Sequence, residues 1–194
     1  FVPRKLAGDI CRMTERFGTL CEPWAQRLGL KAGTAVGCSI IDAHAGMAGC
    51  GITRPGRMML ALGTSSVQSM LSNTPYSSHG VIGTIRDGVI PNYYMWESGL
   101  AAVGDQLAWF AGQCGALGEE AQALATLTER AAMLAPGECG LLALDWWNGN
   151  KTPFVNGRLA GVVAGLRLDT TPVEIFRALM ESTAFGTKMI LDTF

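Results

Sequence analysis

Gly37-Cys38-Ser39-Ile40-Ile41-Asp42-Ala43-His44-Ala45-Gly46 is followed further along by Met58-Met59-Leu60-Ala61-Leu62-Gly63-Thr64-Ser65-Ser66. Each half is an apolar run ending in small polar residues, the pattern of a strand that delivers functional groups at its tip. The first run delivers a carboxylate, Asp42. The second delivers Gly63-Thr64-Ser65, a turn whose backbone amides and hydroxyls suit an anionic phosphate. A carboxylate and a phosphate cradle at neighbouring strand ends point to phosphoryl transfer. There the protein positions the groups, stabilises charge and orients the attacking hydroxyl. Each motif also has an ordinary reading: an Asp after a strand caps the next helix, and Gly-Thr-Ser is a common turn composition.

Around this stretch the composition sets bounds. With 194 residues, 48% of them apolar and only 16% charged, the chain can bury a substantial core or share large interfaces. A formal net charge of −1 gives no footprint for nucleic acid or a membrane surface, so neither is expected as a partner. No apolar run reaches the length of a transmembrane helix. The six cysteines form no CxxC pair and have no histidine at ligand spacing, which argues against zinc and leaves no metal site to expect. Cys38, Cys50 and Cys139 sit in apolar surroundings, as reduced core thiols do, which suits the cytoplasm. The chain begins at Phe1 without an initiator Met and stops at Phe194 inside a helical pattern, so it reads as a fragment of a longer protein.

Residues 4–17 look like a linker or partial helix, and Glu22 to Leu28 like a short helix begun by Pro23 and ended by Gly29. Thr34 to Ile41 reads as a strand and Asp42 to Gly51 as a helix of small residues. Arg57–Leu62 and Ser66–Leu71 make a strand–turn–strand about Gly63-Thr64-Ser65, followed by a polar loop from Asn73 to Gly80. His79 in that loop reads as exposed. Val81–Ile85 and Val89–Tyr94 suggest a hairpin turned by Arg86-Asp87-Gly88. Leu100, Val103, Leu107, Trp109 and Phe110 have helical spacing, and Glu119 to Leu134 is a second helix stopped by Pro136-Gly137. Leu141 to Leu144 reads as a short buried strand, and Gly161 to Leu166 as another tight segment. Thr171-Pro172-Val173-Glu174 opens the last helix with an N-cap, a first-position proline and a capping-box glutamate. Strands in front and long helices behind make an α/β domain.

Ile41-Asp42-Ala43-His44, Gly63-Thr64-Ser65, Tyr94–Phe110, Gly140–Asn150 and Gly161–Phe194 together resemble the FGGY family of carbohydrate kinases, over most of the chain from about Trp24 onward. Leu141 to Asn150 and Ala178 to Thr187 are the most specific stretches, and the members that act on L-ribulose match best. The resemblance implies the actin-like ATPase (ribonuclease H-like) fold, a mixed sheet with helices on its faces. It makes residues 1–33 an entering linker and partial helix, and residues 34–194 the C-terminal, nucleotide-side domain cut before its end. It implies ATP and Mg²⁺ as cofactors, a ketopentose as substrate, and an N-terminal domain of the same protein as partner; a homo-oligomer is compatible with it.

The roles follow residue by residue. Asp42 matches the family's catalytic aspartate, which accepts the proton of the sugar's terminal hydroxyl as that oxygen attacks the γ-phosphorus. His44 touches sugar or phosphate, or else hydrogen-bonds a nearby loop. Gly63, Thr64 and Ser65 correspond to the second-domain phosphate turn, although Val67-Gln68-Ser69 departs from the relatives' next residues. Glu97 sits where a glutamate takes two sugar hydroxyls, or is merely an acid in a helix's first turn. Gly104 matches a glycine near the nucleotide, with close helix packing as its other role. Trp146 and Trp147 suit core or interface packing better than sugar stacking, and Asn148 and Asn150 shape their loop. The expected activity is phosphorylation of L-ribulose at O5 in arabinose breakdown. A kinase for D-ribulose or D-xylulose, or a non-catalytic actin-like binding module, is the alternative.

Overall fold

The computed structural model describes residues 11–12, 14–76, 81–114 and 119–194; the expectation for His79 lies outside them. The chain divides into two compact units, residues 1–45 and 46–194.

In the first unit, β1 (Arg16–Thr19) and β2 (Ala35–Gly37) form an antiparallel ribbon with Gly18 opposite Val36 and Thr19 opposite Ala35. Between them runs α1 (Glu22–Leu28), with Pro23 in its first turn. Gly29 ends it at φ 65°, a left-handed conformation that glycine adopts without a Cβ penalty, and its N–H caps the carbonyls of Ala25 and Gln26. β1 replaces part of the expected linker. Its sequence Arg-Phe-Gly-Thr lacks the alternation that announces a strand, and pairing with β2 supplies what local propensity does not. β2 is shorter than expected, and Cys38 to Ile41 is irregular up to the start of α2 (Asp42–Gly49).

The second unit is built on a four-stranded sheet of β3 (Met58–Leu62), β4 (Ser66–Ser72), β5 (Gly83–Arg86) and β6 (Tyr94–Ser98), in the order β3-β4-β6-β5. Every ladder of this sheet is antiparallel; parallel neighbours need a long crossover, and these strands are joined by short connections. The chain turns from β5 to β6 over residues 87–93 rather than at Arg86-Asp87-Gly88. Pro91 has no N–H to give a ladder, so the expected strand from Val89 forms only from Tyr94.

α3 (Gly104–Gln113), α4 (Glu120–Ala131) and α5 (Pro172–Thr193) pack on one another. Ala111, Ala123, Leu127 and Ala131 close around the fully buried Phe176, and the small alanines let the helices approach the ring. A second cluster joins Leu100 and Val103 to Ile190 of α5. Thr171 caps α5 reciprocally with Glu174, as the sequence requires. At the far end of α5, Phe194 meets Trp96 of β6 edge-on at 6.1 Å, and Tyr76 donates to the Thr193 carbonyl. Among the described residues β7 (Leu142–Leu144) pairs only with β8 (Val162–Ala164), and Leu142 is 66% exposed, so the strand expected to be buried lies at the surface.

Among the described residues no helix is long and apolar enough to cross a membrane. All six cysteines are free; of the three expected as core thiols, Cys50 is exposed and Cys38 and Cys139 are half-buried. Cys50 directly follows α2 at the surface, where its apolar sequence neighbours do not cover it.

Candidate active site

Gly63-Thr64-Ser65 is the hairpin turn between β3 and β4. Gly63 donates to the Ser65 carbonyl at 3.0 Å, and Gly63 and Thr64 are exposed. The N-terminus of α3 rests on this turn. The N–H of Gly104 donates to the Gly63 carbonyl and that of Val103 to the Thr64 carbonyl, both at 2.9 Å. A Cβ at position 104 would lie 2.7 Å from the Gly63 oxygen and 3.6 Å from the Thr64 nitrogen, so only glycine allows the approach. The first amides of α3 therefore hold the turn, whose Gly63 and Thr64 face outward while Ser65 is half-buried.

Behind the turn the start of β4 is locked in place. Ser66 donates from its backbone to the Leu100 carbonyl at 3.1 Å, while its Oγ accepts from Leu100 N and from Gln68 Nε2. Gly99 lies against the Ser66 carbonyl with no room for a Cβ. The start of β4 is polar and buried on both faces, with its neighbour Ser98 of β6: Ser66, Gln68, Ser69 and Ser98 are all buried, and Gln68 Oε1 and Ser69 Oγ have no partner. Such atoms are costly to bury, by about 1–3 kcal/mol each.

Glu97 lies on β6, half-buried, opposite Ser69 of β4 and Gly83 of β5. It is a strand residue well before α3, so its alternative reading as a first-turn helix acid falls away. Gly104, Gly63 and Thr64 are thus brought into contact, and Glu97 projects from the strand next to the one the turn opens. Asp42 is the first residue of α2, exposed, with Oδ1 accepting from the Ala43 N–H at 2.8 Å. His44, two residues further on, is 7% exposed.

Asp105 had not been singled out from the sequence. Its Oδ1 accepts from Val103 N (3.1 Å) and Gln106 N (2.9 Å), and its Oδ2 from Asn148 Nδ2 (2.7 Å). One carboxylate thus ties the 145–150 loop to the turn of α3 that holds Gly63-Thr64. The sequence signal was an acid in a helix's first turn, which is common enough to carry no function. Asn150 Oδ1 accepts from Phe154 N, the loop-shaping role expected of it. Trp147 packs on Trp109 with centroids 5.0 Å apart, and Trp146 lies edge-on to Phe154. Asp145 is buried beside Gly186 of α5; desolvation pushes its carboxyl above the usual carboxylate range, against a smaller lowering from its own backbone N–H.

Residues 58–194 match the model of the FGGY family of carbohydrate kinases, C-terminal domain. The chain belongs to this family. It is 45% identical over 98% of its length to the ribulokinase of Halalkalibacterium halodurans and 43% identical, over the same share, to that of Anoxybacillus flavithermus. It spans about 35% of the length of each of these relatives. Among solved structures, the xylulose kinase of Rhodospirillum rubrum superposes with a TM-score of 0.76 at 28% identity, covering 94% of this chain and 36% of that one. The α/β architecture is therefore that of an FGGY kinase, as the resemblance implied.

Proposed function

We propose that this chain is part of an ATP-dependent kinase that transfers the γ-phosphate to the terminal hydroxyl of a ketopentose, L-ribulose, giving L-ribulose 5-phosphate. The observation that carries the reading is the build of the Gly63-Thr64-Ser65 turn. Its Gly63 and Thr64 are exposed at the end of a hairpin with Ser65 half-buried beside them, and α3 fixes its shape through Gly104. The likeness to ribulokinases supports L-ribulose as the sugar.

In this reading Thr64 and Ser65 donate from hydroxyl and backbone to phosphate oxygens, and Gly63 lets them approach. Bound ATP supplies the transferable phosphoryl group. Asp42, exposed at the start of α2, accepts the proton of the attacking hydroxyl and holds that oxygen in line. Glu97 accepts hydrogen bonds from sugar hydroxyls, and buried His44 supports the substrate side. Mg²⁺ would bridge the phosphates of ATP and be held largely by groups outside this chain. Residues 34–194 form the nucleotide-side domain, with residues 1–33 leading into it, and an N-terminal domain of the same protein completes the cleft. Six free thiols suit a cytoplasmic enzyme.

The test is ADP release by the full-length protein offered L-ribulose, D-ribulose, D-xylulose and glycerol, beside Asp42→Asn. Turnover with L-ribulose that falls by about 10²–10⁴-fold in the variant is expected. Preference for another sugar would correct the substrate. No ADP release with any of them would sink the kinase reading in favour of a binding module.

A further inference from the structure

Cys11 and Cys38 lie far apart in the chain, yet both line one open cavity of about 340 Å³, together with Phe17, Gly37 and Ser39. Two local features bring them there. β1 pairs with β2 so that Arg16 stands opposite Gly37, which sets Cys38, the next residue, at the end of the ribbon. Ahead of β1 the chain doubles back: Glu15 N donates to Arg12 O at 2.9 Å, and Arg12 N donates to Glu15 Oε2 at 3.1 Å. That turn returns Cys11 to the same end of the ribbon.

The two thiols interact there. Burial pushes the Cys38 thiol up, and the charge and hydrogen bond of Cys11, then the charge of Glu15, push it the same way. Neighbouring sulfurs repel as a pair of anions, so one ionises while the other keeps a proton to donate to it. A thiolate beside a thiol is the combination that a two-electron oxidant converts to a disulfide. Both residues are half-buried, and the cavity between them is roomy enough for an oxidant as small as hydrogen peroxide. Cys139, by contrast, is turned to the Glu174 carbonyl, at 3.8 Å.

We propose that Cys11 and Cys38 are an oxidisable dithiol whose disulfide restrains the segment leading to Asp42. In the first step the thiolate attacks one oxygen of a peroxide. The O–O bond breaks, the sulfur becomes a sulfenic acid, and the hydroxide that leaves is protonated to water. The second sulfur then attacks the sulfenic sulfur. The S–S bond forms, the S–O bond breaks, and the departing hydroxide takes the second thiol's proton as another water. Two electrons pass from the sulfurs to the peroxide, and a dithiol reductant reverses the change by exchange.

The consequence for turnover rests on the kinase reading. Only Ser39, Ile40 and Ile41 separate Cys38 from Asp42, and this short irregular connector carries a pull on Cys38 to the start of α2. A catalytic group misplaced by about 1 Å can cost about 10²-fold in rate.

The experiment uses the full-length protein, reduced, freed of reductant and then treated with hydrogen peroxide. Remaining thiols are blocked with iodoacetamide, tryptic peptides are read by mass spectrometry without reduction, and ADP release on the best sugar is measured in parallel. A peptide pair joined through Cys11 and Cys38 is expected, with turnover falling about tenfold or more and returning with dithiothreitol. Cys11→Ser should start at wild-type turnover, which shows that it is folded, form no such link, and keep its turnover through the treatment. Cys50→Ser, which removes an exposed thiol, should behave as the wild type. Absence of the Cys11–Cys38 link, a link that leaves turnover unchanged, or a loss of turnover that persists in Cys11→Ser would overturn the proposal. The link formed in a protein that releases no ADP with any sugar, even when reduced, would keep the dithiol and remove the kinase reading.

Discussion

Replacing Gly104 by alanine tests whether the seat of α3 on the hairpin turn shapes a phosphate site. The added Cβ would lie 2.7 Å from the Gly63 oxygen, about 0.7 Å inside ordinary van der Waals contact, and the obstacle is backbone rather than a side chain that can swing away. Relief requires α3 and the turn to part, which stretches the two 2.9 Å bonds from Gly104 and Val103. Overpacking of this kind costs about 1–3 kcal/mol, more than the few tenths that alanine returns through helix propensity at a first helical position. The full-length Gly104→Ala protein should therefore melt lower. Its KM for ATP should rise about tenfold, with the sugar KM unchanged, because the turn moves and Glu97 does not. Gly112→Ala is the control. It lies in the same helix, its Cβ would meet, among the described residues, only Glu120 Oε2 at 3.5 Å, and it should stabilise by up to about 1 kcal/mol. A Gly104→Ala enzyme with wild-type melting temperature and ATP KM would refute the packing and the role built on it.

Other expectations follow from single interactions. Burial raises the Asp145 carboxyl, so its favourable contribution is complete below the ordinary carboxylate value and is lost as pH rises through the raised folded one. Asp145→Asn stays neutral, and its melting temperature should gain on the wild type across that window; a difference that does not change with pH would count against it. Glu174 is held below its usual range by hydrogen bonds from the Thr171 backbone and hydroxyl, so this stability is present above the ordinary value and lost as pH falls through the lowered one. Thr171→Ala should cost about 1 kcal/mol at neutral pH and soften that acid loss, both readable in melts from acid to neutral pH. Phe176→Ala opens the centre of the three-helix cluster and should cost about 3–5 kcal/mol in denaturant unfolding; a loss well under this would mean that the alanines around it collapse inward.

Local chemistry is what the sequence by itself determined. Pro23 and Gly29 bounded α1, Thr171 to Glu174 opened α5, and two apolar runs flanking Gly63-Thr64-Ser65 gave a hairpin, because caps and turns act over a few residues. The FGGY likeness was legible for the same reason, since it rests on contiguous motifs. Partnership between distant segments was not legible. β1 exists because Arg16–Thr19 finds β2, and β7 lies at the surface in a two-stranded ladder with β8, neither of which so short a string encodes. Pro91 delayed β6 by removing a ladder donor, which matters only once a neighbour is there to receive it. Likewise Asp105 reads as an ordinary helix-start acid until the fold carries Asn148 to its free oxygen, and Gly104 as ordinary helix packing until α3 settles on the Gly63 carbonyl. Hydrogen bonds and close contacts act over a few ångströms in space, and only the tertiary structure decides which residues far apart in the chain come within that reach.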